Sequence, residues 1–405
     1  MKSIKVVLLV GAFLGGGAFA SAKKLVLSDL QFFKELGVPL LQKHPRLNMA
    51  VADVSGISAE RLQKAAHSLN RCGGYEALAD SVKASHFDLV KELKTLEEKI
   101  QKDRKPLSAQ SVRMLEIKKD PQVEALASQV SVENLRTWVT WMQDFGTRYA
   151  RASDPNPPVV ALEKKIREVL ASSKIPFQIE LISHQSTSMK TVKLTFPGQS
   201  EPAKKIILGA HYDSIAGWFG GNNAPGADDD ASGSANLLEV ARILSQYQQP
   251  RRTMEFFWYA GEEEGLLGSA EIARDYKERS ENVLSVLQLD MTLFPGDGPF
   301  TIGLVDDFTT PWLRELLENV NKTYFNFQMR HFECGYGCSD HASWYRQGFS
   351  TVIPFEAEMD TMNRDIHTSR DRIQPSYNFE HSAAFSKLAL AYALEVDGLE
   401  NSFTK

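Results

Sequence analysis

The sequence predicts an α/β protein built on a mixed, mostly parallel twisted sheet with helices on both faces, preceded by a helical N-terminal region. Three observations carry this. From about Asp120 onward, short β-branched or aromatic runs alternate with amphipathic helices, the rhythm of a parallel sheet covered on both sides. Before Lys119 the texture differs, being helical and rich in charge. Finally, polar residues of the kind that ligate metals collect where the buried runs end, the edge at which open α/β sheets place their sites.

The elements follow in order. "MKSIKVVLLVGAFLGGGAFASA" sets Lys2 and Lys5 before a short apolar run and then small residues, the layout of a secretory signal peptide over residues 1–22. The mature chain is therefore expected to be exported, either extracellular or periplasmic, with no membrane association once the signal is gone. Residues 23–119 form the helical region, in which "FDLVKELKTLEEKIQKDRKP" reads as an exposed helix of Glu and Lys at helical spacing. This region shows no chemistry of its own. Residues 120–405 form the α/β domain, with strands at "FQIELI", "TVKLTF", "KIILGA", "MEFFWYA", "VLSVLQL", "FTIGLV" and "STVIPF". Between them lie helices such as "ANLLEVARILSQY", where Leu237, Val240, Ala241 and Leu244 make an apolar stripe.

Composition narrows the function. With 405 residues, 43% of them hydrophobic, the chain can bury a large core. A formal charge of −5 without a basic block excludes nucleic acid as a natural partner. Cys334 and Cys338 lie four apart in "CGYGC" and Cys72 stands far upstream. In an oxidising compartment that spacing favours a Cys334–Cys338 disulfide over a structural zinc site, with Tyr336 at the loop tip. Closing so short a loop contributes only about 2 kcal/mol, so its use is shape.

The chemistry lies at the strand ends. "KIILGA" runs into His211 and Asp213, "MEFFWYA" into Glu262 and Glu263, "VLSVLQL" into Asp290, and His367 follows "STVIPF". Asp228, Asp229 and Asp230 stand side by side in "GADDDASG", where their repulsion opposes folding unless cations sit among them. The spacing of Asp228, Asp230, Ser232, Gly233 and Glu239 also matches a calcium-binding EF-hand loop, but "GWFGGNNAPGA" cannot supply the helix that must enter such a loop. Two imidazoles with several carboxylates suit Zn²⁺, and one Asp of the triplet is a natural bridge between two ions. Adjacent glutamates leaving a strand point apart, so one can ligate while its neighbour handles a proton. Glu264, third in that run, reads as a solvated first-turn residue.

At these residues the chain resembles the two-zinc leucyl aminopeptidases secreted by bacteria. The likeness runs from about residue 120 to the end through "GAHYDS", "APGADDDASG", "YAGEEEGLLGS", "LQLDMT", "CGYGCSDHASW" and "IHTSRD", in that order. The resemblance implies a zinc exopeptidase fold with two Zn²⁺, His211 and Asp290 on one, Glu263 and His367 on the other, and Asp228 bridging them, while Asp229 follows a strained peptide bond. It implies that Glu262 is the general base acting on a hydroxide shared by the ions, that Asp213 orients the His211 ring, and that the Tyr336 hydroxyl faces the oxyanion. It places a specificity wall at Met291, Ile353, Phe355, Met359, Met362 and Ile366, which would accept a bulky apolar residue such as leucine. His341 falls outside the metal set. The implied substrates are peptides with a free N-terminus. Residues 23–119, absent from the family's catalytic unit, are expected to be a propeptide released near Lys118-Lys119, or else a permanent module. Glutaminyl cyclases and non-catalytic relatives share the fold, and are the alternatives. Oligomeric state is not legible.

Overall fold

The computed structural model describes residues 24–45, 47–69, 74–78, 86–103, 105, 115–217 and 223–399. The expected signal peptide, residues 1–22, and Cys72 lie outside them.

The N-terminal region is not simply helical. Strands β1 (Leu25–Asp29), β2 (Leu40–Lys43), β3 (Met49–Asp53) and β4 (Glu76–Ala77) make an antiparallel sheet in the order β2-β3-β1-β4. "LVLSD" and "MAVAD" form strands because their apolar residues serve two faces. Val26, Ala50 and Ala52 pack against helices Leu30–Leu36 and Ala59–Ser68, while Leu25, Leu27, Met49 and Val51 face the other way. Asp29 starts the first helix by accepting from the amides of Gln31 and Phe32, and Gly37, at φ +70°, ends it. The Glu- and Lys-rich helix spans His86–Asp103, but it is not wholly exposed. Its Leu93, Leu96 and Ile100 make a buried stripe that joins the second face of the sheet.

From Pro121 onward the expected α/β architecture is present. Strands β5 (Gln178–Ile182), β6 (Thr191–Phe196), β7 (Glu201–His211), β8 (Arg252–Tyr259), β9 (Asn282–Gln288) and β12 (Thr351–Val352) form a sheet ordered β12-β9-β7-β8-β6-β5. β12, β9, β7 and β8 run parallel, whereas β6 and β5 are antiparallel additions. Both faces are apolar and both are covered. Ile206, Leu208 and Ala210 point towards helices Ala231–Ser245 and Phe379–Gly398, while Ile207, Phe257 and Tyr259 pack on helix Leu267–Glu278 and on Trp344.

"FTIGLV" supplies β10 (Thr301–Val305), which lies outside the large sheet. It pairs with β11 (Gln328–Phe332) and β13 (Pro354–Phe355) in a small sheet of three strands. "STVIPF" is thus shared between two sheets, with Ile353 at the crossing.

His331 on β11 lies between Asp306 and Glu318, its ring nitrogens 2.8 and 3.0 Å from their carboxylates. Those two hydrogen bonds push it from 6.5 up to about 10 against the pull of partial burial. A raised imidazole stabilises fully below the unfolded value and the gain is lost as pH climbs through the folded one. His331→Gln is expected to lower the Tm near pH 6 by no more than about 2 °C, since the pair is half exposed, and to change nothing above pH ~10.5. Calorimetry across that range checks both limbs.

Candidate metal centre

The site forms at the carboxyl ends of the parallel strands. His211 closes β7, Glu262 and Glu263 follow β8, and Asp290 follows β9, so three adjacent strands deliver their next residues to one edge. His367 arrives on the loop beyond β13, at φ +54°.

Two groups of donor atoms converge there. His211, Asp229 and Asp290 each offer an atom within 4.8 Å of the others, and so do Asp229, Glu263 and His367. Asp229 belongs to both. Its Oδ1 is 2.9 Å from His211 Nε2 and its Oδ2 is 3.0 Å from His367 Nε2. His367 Nε2 is also 3.0 Å from Glu263 Oε2, and His211 Nε2 is 3.6 Å from Asp290 Oδ1.

The expected bridge, Asp228, is displaced by one residue. Its Oδ1 accepts from the amides of Thr292 and Leu293 at 3.2 and 2.9 Å, its Oδ2 accepts from Asn363 Nδ2 at 3.0 Å, and it shares a hydrogen bond with Glu356. Those donors aim the carboxylate away from the histidines. The cis peptide is shifted by one residue with it, joining Asp229 to Asp230 rather than Asp228 to Asp229, and so still follows the shared carboxylate. Asp230 is used differently again, capping helix Ala231–Ser245 through the Gly233 amide and accepting from the amides of His211 and Met291. Three neighbouring aspartates therefore do three different jobs. Glu239, the last position of the rejected calcium pattern, accepts from Ser131 N and Asn134 and pairs with Arg242.

Asp213 also differs in detail. Its carboxylate is 3.8 Å from His211 Nδ1, which lies 3.1 Å from the Asp213 carbonyl. The Asp213 carboxylate instead accepts from the amides of Glu262 and Glu263, at 3.0 and 3.3 Å. It fixes the turn that carries both glutamates.

Residues the sequence did not single out hold the loop in place. Arg148, fully buried, donates to the carbonyls of Met142, Tyr212, Pro225 and Gly226. A Cβ at Gly226, φ +51°, would fall 2.3 Å from the Asp229 carbonyl and 2.9 Å from Arg148, so only glycine fits. Asp371 receives the Asp228 and Asp229 amides at 2.9 and 3.0 Å and the Tyr377 hydroxyl at 2.6 Å. Asp371 ends the "IHTSRD" motif and could have been suspected there. Arg148 gives no comparable signal.

The electrostatics demand positive charge. Asp229, Glu262, Glu263 and Asp290 are at most 1% exposed. Burial pushes Glu262 well above the usual carboxylate range, with His211 opposing and Glu263 adding to the rise. Burial alone would lower His367, but Glu263 and Asp229 push it up to about 10. Both Glu262 oxygens, and Asp290 Oδ1, are buried without a hydrogen-bond partner. Orphaned carboxylate oxygens beside two imidazole nitrogens are a donor set that fits Zn²⁺.

Beside the donors lies one apolar cluster containing Met291, Ile353, Phe355, Met362, Ile366 and Tyr336, with Met359 at its margin. Cys334 and Cys338 are joined by a disulfide at its edge, with the Cα atoms 6.3 Å apart. His341 lies outside both donor groups and is pushed down to about 3 by burial, so it is neutral. Glu264 is not solvated: it is wholly buried, held by Gln63 and Arg151.

This arrangement is that of a metal-dependent hydrolase. Residues 191–393 match peptidase family M28, and the chain belongs to that family. Leucine aminopeptidase 1 of Ajellomyces dermatitidis is 33% identical over 288 residues, 68% of this chain and 74% of its own. The crystal structure of Legionella pneumophila LapA aminopeptidase superposes with a TM-score of 0.78 at 26% identity, covering 93% of this chain and 99% of that one. Such coverage reaches into the N-terminal region. A glutaminyl cyclase from Porphyromonas gingivalis shares the fold, with a TM-score of 0.51 at 20% identity over 66% of this chain and 99% of its own.

The two neighbouring aspartates should separate experimentally. Asp229→Ala is expected to weaken zinc binding by more than ~100-fold by removing a carboxylate common to both groups. Asp228→Ala should cost roughly 2–4 kcal/mol of stability, because it strands buried amides, while zinc is still bound. Zinc analysis after dialysis and thermal melts of both variants test this.

Proposed function

We propose that this metalloaminopeptidase of the M28 family removes the N-terminal residue of unblocked peptides outside the cytoplasm, favours bulky apolar residues such as leucine, and works with two zinc ions. The observation that carries the reading is the pair of buried donor groups joined through Asp229, beside a glutamate whose oxygens are both unpartnered. His211 and Asp290 would hold one ion, Glu263 and His367 the other, and Asp229 would reach both. Bound zinc supplies Lewis acidity and a water acidified towards neutral pH.

The chain's own groups do the rest. Glu262, its main chain fixed through Asp213, takes the proton of the attacking water on a carboxylate oxygen and returns it to the leaving amine. Its burial raises its proton affinity towards the range a base needs. Tyr336, seated in the apolar cluster beside the disulfide, would donate its hydroxyl to the oxyanion. Met291, Ile353, Phe355, Met362 and Ile366 line the space for the first side chain, with Met359 and Met362 giving its wall unbranched, adaptable side chains. Export rests on the signal-like residues 1–22. No helix among the described residues is long and apolar enough to cross a membrane.

A panel of aminoacyl anilides, N-blocked peptides and a glutaminyl peptide tests the reading. Leucyl anilide should be hydrolysed, blocked peptides spared, and a chelator should abolish turnover. Cleavage of blocked peptides, or cyclisation of the glutaminyl peptide with one zinc per chain, would overturn it. Glu262→Gln should retain two zincs while kcat falls by ~10³-fold or more; near-normal turnover would remove Glu262 from the base role.

A further inference from the structure

The turn Gly261–Leu266, which presents Glu262 and Glu263, is held from two sides. In front, Asp213 takes both glutamate amides. Behind it stands the N-terminal unit, and each residue after Glu263 meets that unit. The Glu264 carboxylate, wholly buried, accepts from Gln63 Nε2 of helix Ala59–Ser68 at 2.5 Å and pairs with Arg151 on its other oxygen. The Gly265 carbonyl accepts the Ala77 amide of β4 at 3.0 Å.

The Tyr75 ring lies so close over Gly265 that a Cβ there would fall 2.7 Å from it. Leu266, at φ +59°, buries its side chain in a core shared with Leu25, Leu27, Leu93 and Leu96 of the N-terminal unit. Glu76 pairs with Arg346, and Tyr345 donates to Asp103 at 2.8 Å, extending the seam to the helix His341–Arg346 that follows the disulfide loop. Within the turn, Gly265 N and Leu266 N both return to the Glu262 carbonyl, at 2.9 and 2.8 Å, so displacement of either residue is passed to Glu262.

We propose that Glu264 is a positioning residue: through its contact with Gln63, the docked N-terminal unit fixes the turn that aims Glu262 and Glu263, so that residues 24–103 are a working part of the enzyme and not a cover discarded on maturation. The inference rests on the aminopeptidase reading only for its kinetic arm. A buried carboxylate whose partners come from two domains keeps its place only while both are present, because losing either leaves charge or amide unpaired. Small shifts of a catalytic turn lower kcat more than substrate affinity.

The test uses the full secreted chain and four variants: E264A, E264Q, Q63A and the exchange E264Q/Q63E, which swaps donor and acceptor across the same contact. Leucyl anilide kinetics and zinc affinity by competition with a chromophoric chelator are both read. E264A and Q63A should lower kcat at least ~10-fold with KM within about twofold, and should weaken zinc binding at least ~10-fold through Glu263. E264Q alone should fall between these and wild type, and the exchange should recover a large part of what Q63A loses.

Should E264A fail to fold, Q63A, altered on a helix that contributes no residue to the donor groups, decides alone. Should wild type not cleave leucyl anilide, the aminopeptidase reading fails, while the zinc affinities still decide this one. Folded variants with kcat and zinc affinity within twofold of wild type would overturn the proposal. So would an active secreted form that lacks residues 24–103.

Discussion

The structure depends on one constraint: carboxylates packed out of water, side by side, must be given donors or cations. Asp228, Asp229 and Asp230 meet it in three ways, by two main-chain amides and Asn363, by two imidazoles, and by a helix N-terminus with the amides of His211 and Met291. Glu262 meets it in none of these, and its two oxygens are left without a partner. A chain that spends buried amides of Thr292, Leu293 and Gly233 on two aspartates and leaves a glutamate bare has reserved that glutamate for something that arrives from outside. Divalent ions held beside it would satisfy the remaining negative charge, and substrate and water would occupy the space it faces.

Much of this was legible in the sequence because it is local. The runs ending in His211, Glu262 and Asp290 form adjacent parallel strands, as their mostly apolar character suggests, and their next residues gather at one edge. The residues expected to wall a substrate pocket also gather into one apolar cluster with Tyr336. Choosing among three identical aspartates was beyond the sequence, since the choice is made by donors far along the chain: Thr292, Leu293 and Asn363 claim Asp228, and Asp371 sets the main chain between Asp228 and Asp229. Arg148 was silent for the same reason, its four carbonyl partners being contributed by a helix end and two separate loops.

The N-terminal unit reads as wholly helical in the sequence because its charged helix dominates its composition. Its strands are only two to five residues long, with β1 and β3 buried along nearly their whole length and β2 largely exposed, so they carry neither a long apolar run nor a clean alternation. One of their faces packs on helices of the same unit, and the other packs on Leu266, Phe308, Ala342 and Tyr345 of the catalytic domain. Glu264 is obscured with it. A third glutamate in a row looks solvated until the partner that buries it, 201 residues earlier in the chain, is in place.

Anomalous diffraction at the zinc edge from crystals of the purified protein tests the central claim most directly. Two peaks about 3.5–4 Å apart should flank Asp229, one against His211 and Asp290 and the other against Glu263 and His367, with Asp228 touching neither. A single peak, or ions seated on Asp228, would contradict the account.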